Sequence, residues 1–369
     1  MVSIQRKTDK RFQMQDSDHM HSKTHREDSG VSMTHKQVDI SALIEPYRGE
    51  LLLHCYRLLG SLHDAEDMVQ ESMLRAWRHF DTFKGRASLR TWLYTIATNA
   101  CLDVLKKRPS RMLPTAISSE ANPHTPIPSP TTETLWLEPF PDSWLAEATE
   151  NPEARYSRYE SVSLAFLTAL QLLPPRQRAI LILSDVLDWR AHEIAHLLEL
   201  TVSAVTSALH RARVTLAHNY QSEQETKPRL QRTDDATNTL LSRYLHAWET
   251  DDVAGLVSLL KEDAILSMPP VPAWYRGRDA IQAIFLAVPF SPEMRNRWRV
   301  YPTRANGQPA LILYQADPSK SAYHAFGIQV LTLADVRHPG QIAAVTIFHG
   351  SALVPAFGFP SQLPLHPSL

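Results

Sequence analysis

The stretch SLHDAEDMVQESMLRAWRHFDTFKGRASLRTWLYTIATNACLDVLKKR, residues 61–108, decides the fold of the N-terminal half of the chain. Apolar side chains recur at spacings of three and four over residues 64–80, which predicts an amphipathic helix. A second apolar stripe over residues 89–107 predicts the helix that follows. Trp77 and Trp92 lie on these stripes, so we expect both side chains in the core.

Acidic side chains stack on another face of the first helix. Asp64, Asp67 and Glu71 follow one another at i, i+3 and i+7, with Gln70 beside them. Like charges on neighbouring turns repel one another, so this arrangement does not stabilise the helix itself. A basic partner surface would relieve the repulsion, and a plain solvated face is the alternative interpretation.

The loop and the second helix carry cations, aromatic rings and amides on the face away from the predicted core. Cations can neutralise phosphates or complement a helix C-terminus, and an exposed tyrosine beside hydroxyl and amide groups suits an unstacked base. The candidate nucleic-acid-binding residues of this surface are Phe83, Lys84, Arg86, Arg90, Tyr94, Thr98, Asn99, Lys106, Lys107 and Arg108.

A second helical block is LPPRQRAILILSDVLDWRAHEIAHLLELTVSAVTSALHRARVTLAHNY, residues 173–220. Its pattern predicts a short helix over 191–198, a tight turn and a longer helix from about residue 203 to 218. In a helix-turn-helix, the start of the second helix reads base edges in the major groove, and arginine suits guanine or phosphate. The predicted buried stripe is Val202, Val205, Leu209, Ala212 and Leu216. The residues expected to contact DNA are Ser203, Thr206, Ser207, His210, Arg211 and Arg213.

Residues 61–108 resemble region 2 of bacterial extracytoplasmic-function (ECF) sigma factors of the sigma-70 family, and residues 173–220 resemble region 4. The resemblance implies that region 2 captures the −10 promoter element as the DNA opens, and that region 4 binds the −35 element. It also implies that the acidic helix binds the clamp of core RNA polymerase. The residues that would make this polymerase contact are Asp64, Asp67, Gln70 and Glu71.

One position departs from the family pattern. The turn of region 4 commonly has glycine where this chain has Glu199. If the turn requires a positive φ, a residue with a Cβ is strained there. The helices on either side of the turn are expected in either case.

Composition divides the chain into helical blocks, linkers and tails. Eight prolines between Pro109 and Pro141 predict an extended linker, since proline removes an amide donor and fixes φ. The resemblance implies that this linker takes the place of region 3 of larger sigma factors. The predicted domains are a disordered tail at 1–37, region 2 at 38–108, the linker at 109–151, region 4 at 152–220, a second linker at 221–235, a C-terminal domain at 236–350 and a tail at 351–369.

The C-terminal domain opens with LLSRYLHAWETDDVAGLVSLLKEDAILSMPPVPAWYRGRDAIQAIF, residues 240–285, and β-rich segments follow at 310–315, 325–333 and 342–348. This order resembles the SnoaL-like branch of the cone-shaped NTF2-like fold. The fold class is therefore multidomain, with two all-α helical domains and a C-terminal α+β cone. Relatives with this fold include enzymes that use a pocket carboxylate or histidine for proton transfer, although a fold does not carry an activity with it. The candidate pocket residues are Trp248, Asp263, Trp274, Tyr275, His324 and His349.

Composition also narrows the classes of function. Apolar residues make up 43% of the chain and charged residues 21%, as in ordinary globular proteins, and the net charge of −1 excludes a globally basic nucleic-acid coat. Cys55 and Cys101 have no CxxC partner, so neither a disulfide framework nor a cysteine zinc site is expected. The absence of a long apolar run predicts a cytoplasmic protein without membrane contact. No cofactor or metal is expected.

The leading hypothesis is an alternative sigma factor, which is a binding protein and not an enzyme. Its partners would be core RNA polymerase, contacted at the clamp and flap, and promoter DNA. An anti-sigma factor and a small ligand of the C-terminal domain are further candidate partners, and that domain is expected to regulate activity. One alternative is a SnoaL-like enzyme fused to a DNA-binding regulator, which leaves residues 64–108 unexplained. Another is a simple repressor that binds promoter duplex without polymerase.

Overall fold

A computed structural model of the chain describes residues 40–85, 87–131, 135–146, 161–221, 235–319, 321–334 and 340–364. Contacts divide the chain into two compact units, residues 1–43 and 44–369. Of the first unit the structure describes residues 40–43, which are helical, and the predicted tail at 1–37 lies outside the described residues. Everything below concerns the second unit. No helix in the described ranges is long and apolar enough to cross a membrane.

In the residues that the structure describes, region 2 contains three long helices. They are α1 (Arg48–Leu59), α2 (Leu62–His79) and α3 (Leu89–Leu105), so both helices predicted from residues 61–108 are confirmed. Serine caps begin the last two: the Ser61 hydroxyl accepts from the amide of Asp64, and the Ser88 hydroxyl accepts from that of Thr91. Such caps satisfy amides that have no partner within the helix.

Trp77 is not a core residue, because 38% of it is exposed. The buried arc of α2 ends at Ala76, and Trp77 lies 100° further round the helix on the side of exposed Leu74. Trp92 is half-buried, and its ring packs on Phe83 with the centroids 5.2 Å apart. The apolar spacing therefore placed the helices correctly but made the buried stripe of α2 one residue too wide.

Residues 161–221, the described part of region 4, form four helices. The first two are α4 (Leu164–Gln171) and α5 (Pro175–Leu181), and α5 continues in a wider turn over Ile182–Val186. They are followed by α6 (Ala191–Leu197) and α7 (Val202–Gln221), which form the predicted helix-turn-helix.

The prolines predicted an extended linker, and its apolar segment WLEPFPDSWL (residues 136–145) was expected to pack in part; the described part of the linker packs against the rest of the chain. Single helical turns occur at Pro114–Ile117 and Ser143–Ala146. The physical reason is that this segment contains large apolar side chains. An extended linker would leave them in water, and packing against the core buries them. The buried apolar side chains of this segment are Leu113, Trp136, Leu137, Phe140 and Leu145.

Within its described residues, the C-terminal domain combines three α-helices with one sheet. The helices are α8 (Asp235–Glu249), α9 (Val253–Ser258) and α10 (Arg278–Ala287). The strands are β1 (Leu260–Ser267), β2 (Trp274–Arg276), β3 (Trp298–Ala305), β4 (Gln308–Ala316), β5 (Ala322–Leu333), β6 (Ile342–His349) and β7 (Gln362–Pro364). The main strand order is β2-β1-β6-β5-β4-β3. The predicted strands lie within β4, β5 and β6, but the sheet is mixed and not wholly antiparallel, since β1 and β6 run parallel.

The predicted C-terminal tail is part of this domain up to residue 364. A 3₁₀ helix over Ser351–Phe357 buries Leu353, Val354 and Phe357, and β7 pairs with β5. The boundary expected at residue 350 was therefore too early, because the apolar residues beyond it cover the outer face of the sheet.

Two apolar cores result. One fills the cone between α8–α10 and the inner face of the sheet and contains Trp248. The other runs from region 2 through Leu137 and Phe140 of the linker and through region 4 to Ala305 and Ala310 on the sheet. Since the second core is shared, the helical modules, the linker and the outer face of the sheet pack as one body.

Arg178 ties region 4 to region 2 within this shared core. Its side chain is 0% exposed, and its guanidinium donates to the carbonyls of Leu58 (2.5 Å), Leu170 (2.9 Å) and Leu173 (3.2 Å). It also donates to Gln171 Oε1 at 2.7 Å. Burial lowers the pKa of Arg178 to about 10, so the side chain remains charged at neutral pH.

We predict that Arg178→Lys destabilises the protein by roughly 2–4 kcal/mol, because a lysine cannot reach these carbonyls with one ammonium group and leaves several of them buried without a donor. Urea unfolding of the full chain measures the effect. The matched control is Arg176→Lys at an exposed position of the same helix, where a change within about 0.5 kcal/mol is expected. Equal midpoints for the two variants would show that Arg178 does not join the modules.

Candidate polymerase- and DNA-binding surfaces

The acidic face of α2 (Asp64, Asp67, Gln70 and Glu71) is only partly available to a partner. Asp67 and Gln70 are exposed, and Glu71 pairs with Arg75 one turn further along at 2.6 Å. Asp64 is half-buried and is bound by Arg108 at 2.9 Å and Arg111 at 2.6 Å. The structure therefore directs Asp64 towards its own chain and leaves Asp67 and Gln70 facing solvent.

The linker residue Glu138 holds the beginning of α2. Its Oε2 accepts from the amide of Leu62 at 2.9 Å, from the Ser61 hydroxyl at 2.9 Å and from His63 Nδ1 at 3.0 Å. A carboxylate at a helix N-terminus is favoured by the unpaired amides and the helix dipole. Sequence reasoning missed this role, and the only signal was one acid within the apolar stretch 135–140.

Two of the residues predicted to bind the −10 element are buried, contrary to expectation. Tyr94 is 1% exposed and Thr98 is 0% exposed. The ring of Trp189, in region 4, packs on Tyr94 with the centroids 5.7 Å apart, and Thr98 hydrogen-bonds to His54 Nε2 at 2.8 Å. Periodicity placed Tyr94 and Thr98 off the apolar stripe of α3, but His54 of α1 contacts both residues and Trp189 of region 4 packs on Tyr94. Burial raises the pKa of Tyr94 and lowers that of His54 to about 3, so His54 is neutral here.

The other residues of this surface lie around that covered patch. Arg90 pairs with Glu50 at 2.8 Å and its guanidinium lies 4.8 Å from the centroid of the Tyr94 ring. Phe83 is half-buried against Trp92, and Arg86 lies outside the described residues. The exposed members are Lys84, Asn99, Lys106, Lys107 and Arg108.

The recognition face of α7 is open to solvent. All six residues predicted to contact DNA are exposed: Ser203, Thr206, Ser207, His210, Arg211 and Arg213. Arg213 also makes a two-bond ion pair with Asp185, at 2.7 and 2.9 Å, and this raises the pKa of Arg213. Val205 and Ala212 are buried as predicted, whereas Val202 is 47% exposed because it is the first residue of α7.

The turn between α6 and α7 has the left-handed backbone that a glycine would favour. Glu199 has a φ of +54°, and the amide of Leu200 donates to the carbonyl of Ala195 at 2.9 Å. A side chain with a Cβ costs free energy in this conformation. The turn therefore keeps its shape in spite of Glu199, at some loss of stability.

The six candidate pocket residues of the C-terminal domain do not come together, contrary to expectation. Trp248 fills the cone, with Phe290 at 4.8 Å and Trp298 at 5.8 Å between ring centroids. Trp274 Nε1 donates to the carbonyl of Ser118, and Asp263 pairs with Lys261. His349 packs on Phe326, whose ring in turn packs on Trp298 at 5.0 Å. Tyr275 is buried and His324 is exposed. Burial lowers the pKa of His349 to about 4, so this histidine is neutral at physiological pH.

A cavity of about 220 Å³ lies outside the cone, between the outer face of the sheet and the helical modules. Of the six candidates Asp263 lines it, together with Lys261 on β1, Thr115 in the linker and Thr168 on α4. The Asp263 carboxylate is therefore paired with a lysine and surrounded by hydroxyl groups, and no histidine is among the residues that line this cavity. The arrangement expected for proton transfer is therefore not formed by these six residues.

The fold and these surfaces define a DNA-binding transcription factor, built from a helical module with an acidic face, a helix-turn-helix module and a cone-shaped domain. Family comparisons agree. The chain matches the profiles of Sigma-70 region 2 over residues 43–111, Sigma-70 region 4 over 163–216 and the SnoaL-like domain over 241–344.

Comparisons with individual proteins identify the family. The ECF RNA polymerase sigma factor SigG of Mycobacterium tuberculosis is 42% identical over 329 residues, which cover 88% of this chain and 85% of SigG. The ECF RNA polymerase sigma factor SigW of Bacillus subtilis is 28% identical over 179 residues, which cover 47% of this chain and 84% of SigW. The chain belongs to the ECF RNA polymerase sigma factors. The crystal structure of Mycobacterium tuberculosis SigJ shares the fold, with a TM-score of 0.52 and 21% identity over 85% of this chain and 98% of SigJ.

We predict that Glu199→Gly stabilises region 4 by about 0.5–1 kcal/mol, because glycine adopts a positive φ without a Cβ clash and loses part of this gain to its freer unfolded state. Thermal unfolding followed by circular dichroism measures the shift. Glu199→Ala is the matched control, since it removes the carboxylate but keeps the Cβ. An equal gain in both variants would mean that charge, and not backbone conformation, destabilises this turn.

Proposed function

We propose that this ECF sigma factor binds core RNA polymerase through the acidic face of α2, the −10 element through region 2, and the −35 element through α7. The observation that carries the proposal is that one chain holds both modules, with all six residues of the recognition face exposed. Exposed Lys84, Lys106 and Lys107 supply positive charge beside the −10 surface, and such charge makes DNA affinity salt-dependent. Because both proposed partners, RNA polymerase and promoter DNA, are in the bacterial cytoplasm, we expect the protein to act there.

We propose further that the structure is a closed form that cannot yet capture the −10 element. A base can stack on Tyr94 only after Trp189 has moved away, because the two rings are in contact and Tyr94 is buried. Region 4 must therefore separate from region 2 before promoter opening. Core polymerase, which contacts both modules, would favour the separated form by binding it more tightly.

The C-terminal domain is proposed as a regulator and not as an enzyme. Its six candidate pocket residues are dispersed, and Trp248 with its neighbouring rings occupies the cone. The outer face of its sheet shares a core with both helical modules, so the domain is placed to control their separation. The alternative of a SnoaL-like enzyme fused to a DNA-binding regulator leaves this shared core and the acidic face unexplained. An anti-sigma partner and a ligand of this domain stay predictions.

We predict that the double variant Asp67→Lys, Glu71→Lys binds core RNA polymerase at least about tenfold more weakly, because opposite charges at a polymerase contact become like charges. Pull-down with core polymerase followed by run-off transcription measures the loss. Glu293→Lys, which changes an exposed loop of the C-terminal domain, is the control and should bind normally. Unchanged binding of the double variant would remove the acidic face from the polymerase contact.

We predict that Arg211→Ala weakens promoter binding by the polymerase complex about 5- to 150-fold, the range expected when an arginine contact to a base or phosphate is lost. The promoter is taken from transcripts induced by overexpression, and binding is measured by gel shift at two salt concentrations. Arg243→Ala removes an exposed arginine from α8 and serves as the control. If the free protein shifted the same duplex as tightly as the complex does, the repressor hypothesis would replace this one.

A further inference from the structure

A hairpin tip of the C-terminal domain is buried at the junction of the helical modules. Asn306 and Gly307 form the two-residue turn between β3 and β4, with φ of +55° and +74°. Asn-Gly is the sequence that favours such a turn. Hairpin tips normally face solvent, but Asn306 is 0% exposed. The burial of this polar tip therefore requires an explanation beyond the hairpin itself.

The Asn306 side chain contacts three parts of the chain at once. Its Nδ2 donates to the hydroxyl of Tyr56 on α1 at 2.8 Å and to the carbonyl of Val162, just before α4, at 2.7 Å. Its Oδ1 accepts from the amide of Phe140 in the linker at 2.9 Å, and its own amide donates to the carbonyl of Phe140 at 2.9 Å. One amide group thereby links region 2, the linker and region 4.

Neighbouring contacts extend the same connection. The amide of Gly307 donates to Asp142 Oδ1 at 2.8 Å, and Arg304 Nε donates to Asp142 Oδ2 at 3.2 Å. The Tyr56 hydroxyl donates to the carbonyl of Glu138 at 2.8 Å, and the Glu138 carboxylate caps α2. A chain of hydrogen bonds therefore runs from Asn306 through Tyr56 and Glu138 to the start of α2, the helix that carries the acidic face.

Contacts between regions 2 and 4 lie directly beside this turn. Arg57, the residue after Tyr56, donates to the Ser161 hydroxyl at 2.5 Å, and Arg178 donates to the carbonyl of Leu58. The helix α3, with Tyr94 covered by Trp189, packs against α1 in the same core. Withdrawing Asn306 would remove the group that joins Tyr56 to Val162 and would loosen the face on which Tyr94 is hidden.

We propose that the Asn306–Gly307 turn is an intramolecular lock that holds region 2, the linker and region 4 in the closed form and releases Tyr94 when it withdraws. The inference rests on the proposed function, in which Tyr94 serves the −10 element. The residues that form the lock lie on the outer side of the cone domain, and none of these contacts involves the interior of the cone.

The test uses the full chain and hydroxyl-radical footprinting, in which mass spectrometry measures oxidation of the Tyr94 side chain. Asn306→Gly keeps a residue that accepts a positive φ and removes the side-chain amide. Asn296→Gly is the matched control, since Asn296 has a φ of +57° and lies in an exposed turn of the same domain. Tyr94 oxidation should rise on the order of tenfold in Asn306→Gly, the factor expected when a buried hydrogen-bonded group is lost, and stay unchanged in Asn296→Gly.

Tyr56→Phe provides a second, milder variant, because it removes the hydroxyl that accepts from Asn306 and leaves the ring in place. Should Asn306→Gly fail to fold, a rise of Tyr94 oxidation in a folded Tyr56→Phe protein still supports the lock. Oxidation at the level of the Asn296→Gly control in the folded variants overturns it.

A second readout separates the lock from the function on which it rests. Anisotropy of a fluorescein-labelled, A/T-rich single-stranded DNA measures base capture by each variant. Increased Tyr94 oxidation with increased DNA binding supports both proposals. Increased oxidation without any gain in DNA binding supports the lock and contradicts the −10 role of Tyr94.

Discussion

Buried backbone groups of the linker must find hydrogen-bond partners, and this requirement fixes how the parts of the protein meet. The linker enters the shared core with Leu137 and Phe140, and its amides and carbonyls lose contact with water there. The Phe140 backbone is satisfied by Asn306 of the C-terminal domain, and the Glu138 carbonyl by Tyr56 of region 2. The linker can therefore be buried only while region 2 and the cone domain are both in place.

One surface of region 2 would serve two purposes under the proposed function. An aromatic ring with a hydroxyl group can pack against another module or stack on a base, and Tyr94 here packs against Trp189. If Tyr94 serves the −10 element as we propose, closed packing and base capture compete for one side chain. On this proposal the sigma factor is inactive until a partner stabilises the open form, and the outer face of the cone domain contributes to that balance.

The spacing of apolar residues was sufficient to predict the helices, but it was not sufficient to predict which side chains other parts of the chain bury. Spacing of apolar residues predicted α2, α3 and the helix-turn-helix, and family resemblance predicted the cone. Periodicity assigns a face of a helix, but it does not say which other parts of the chain cover that face, so Tyr94 and Thr98 were expected to be exposed. The six pocket candidates failed for a related reason, since Trp248 and its ring partners Phe290 and Trp298 meet only through the tertiary fold.

The most direct test of the central claim compares the wild-type protein alone and bound to core RNA polymerase without DNA. Hydroxyl-radical footprinting of both samples reports the exposure of Tyr94. If the structure is a closed form that opens on the polymerase, Tyr94 is protected in the free protein and readily oxidised in the complex. Equal protection of Tyr94 in the two samples, with the complex active in transcription, would contradict the account.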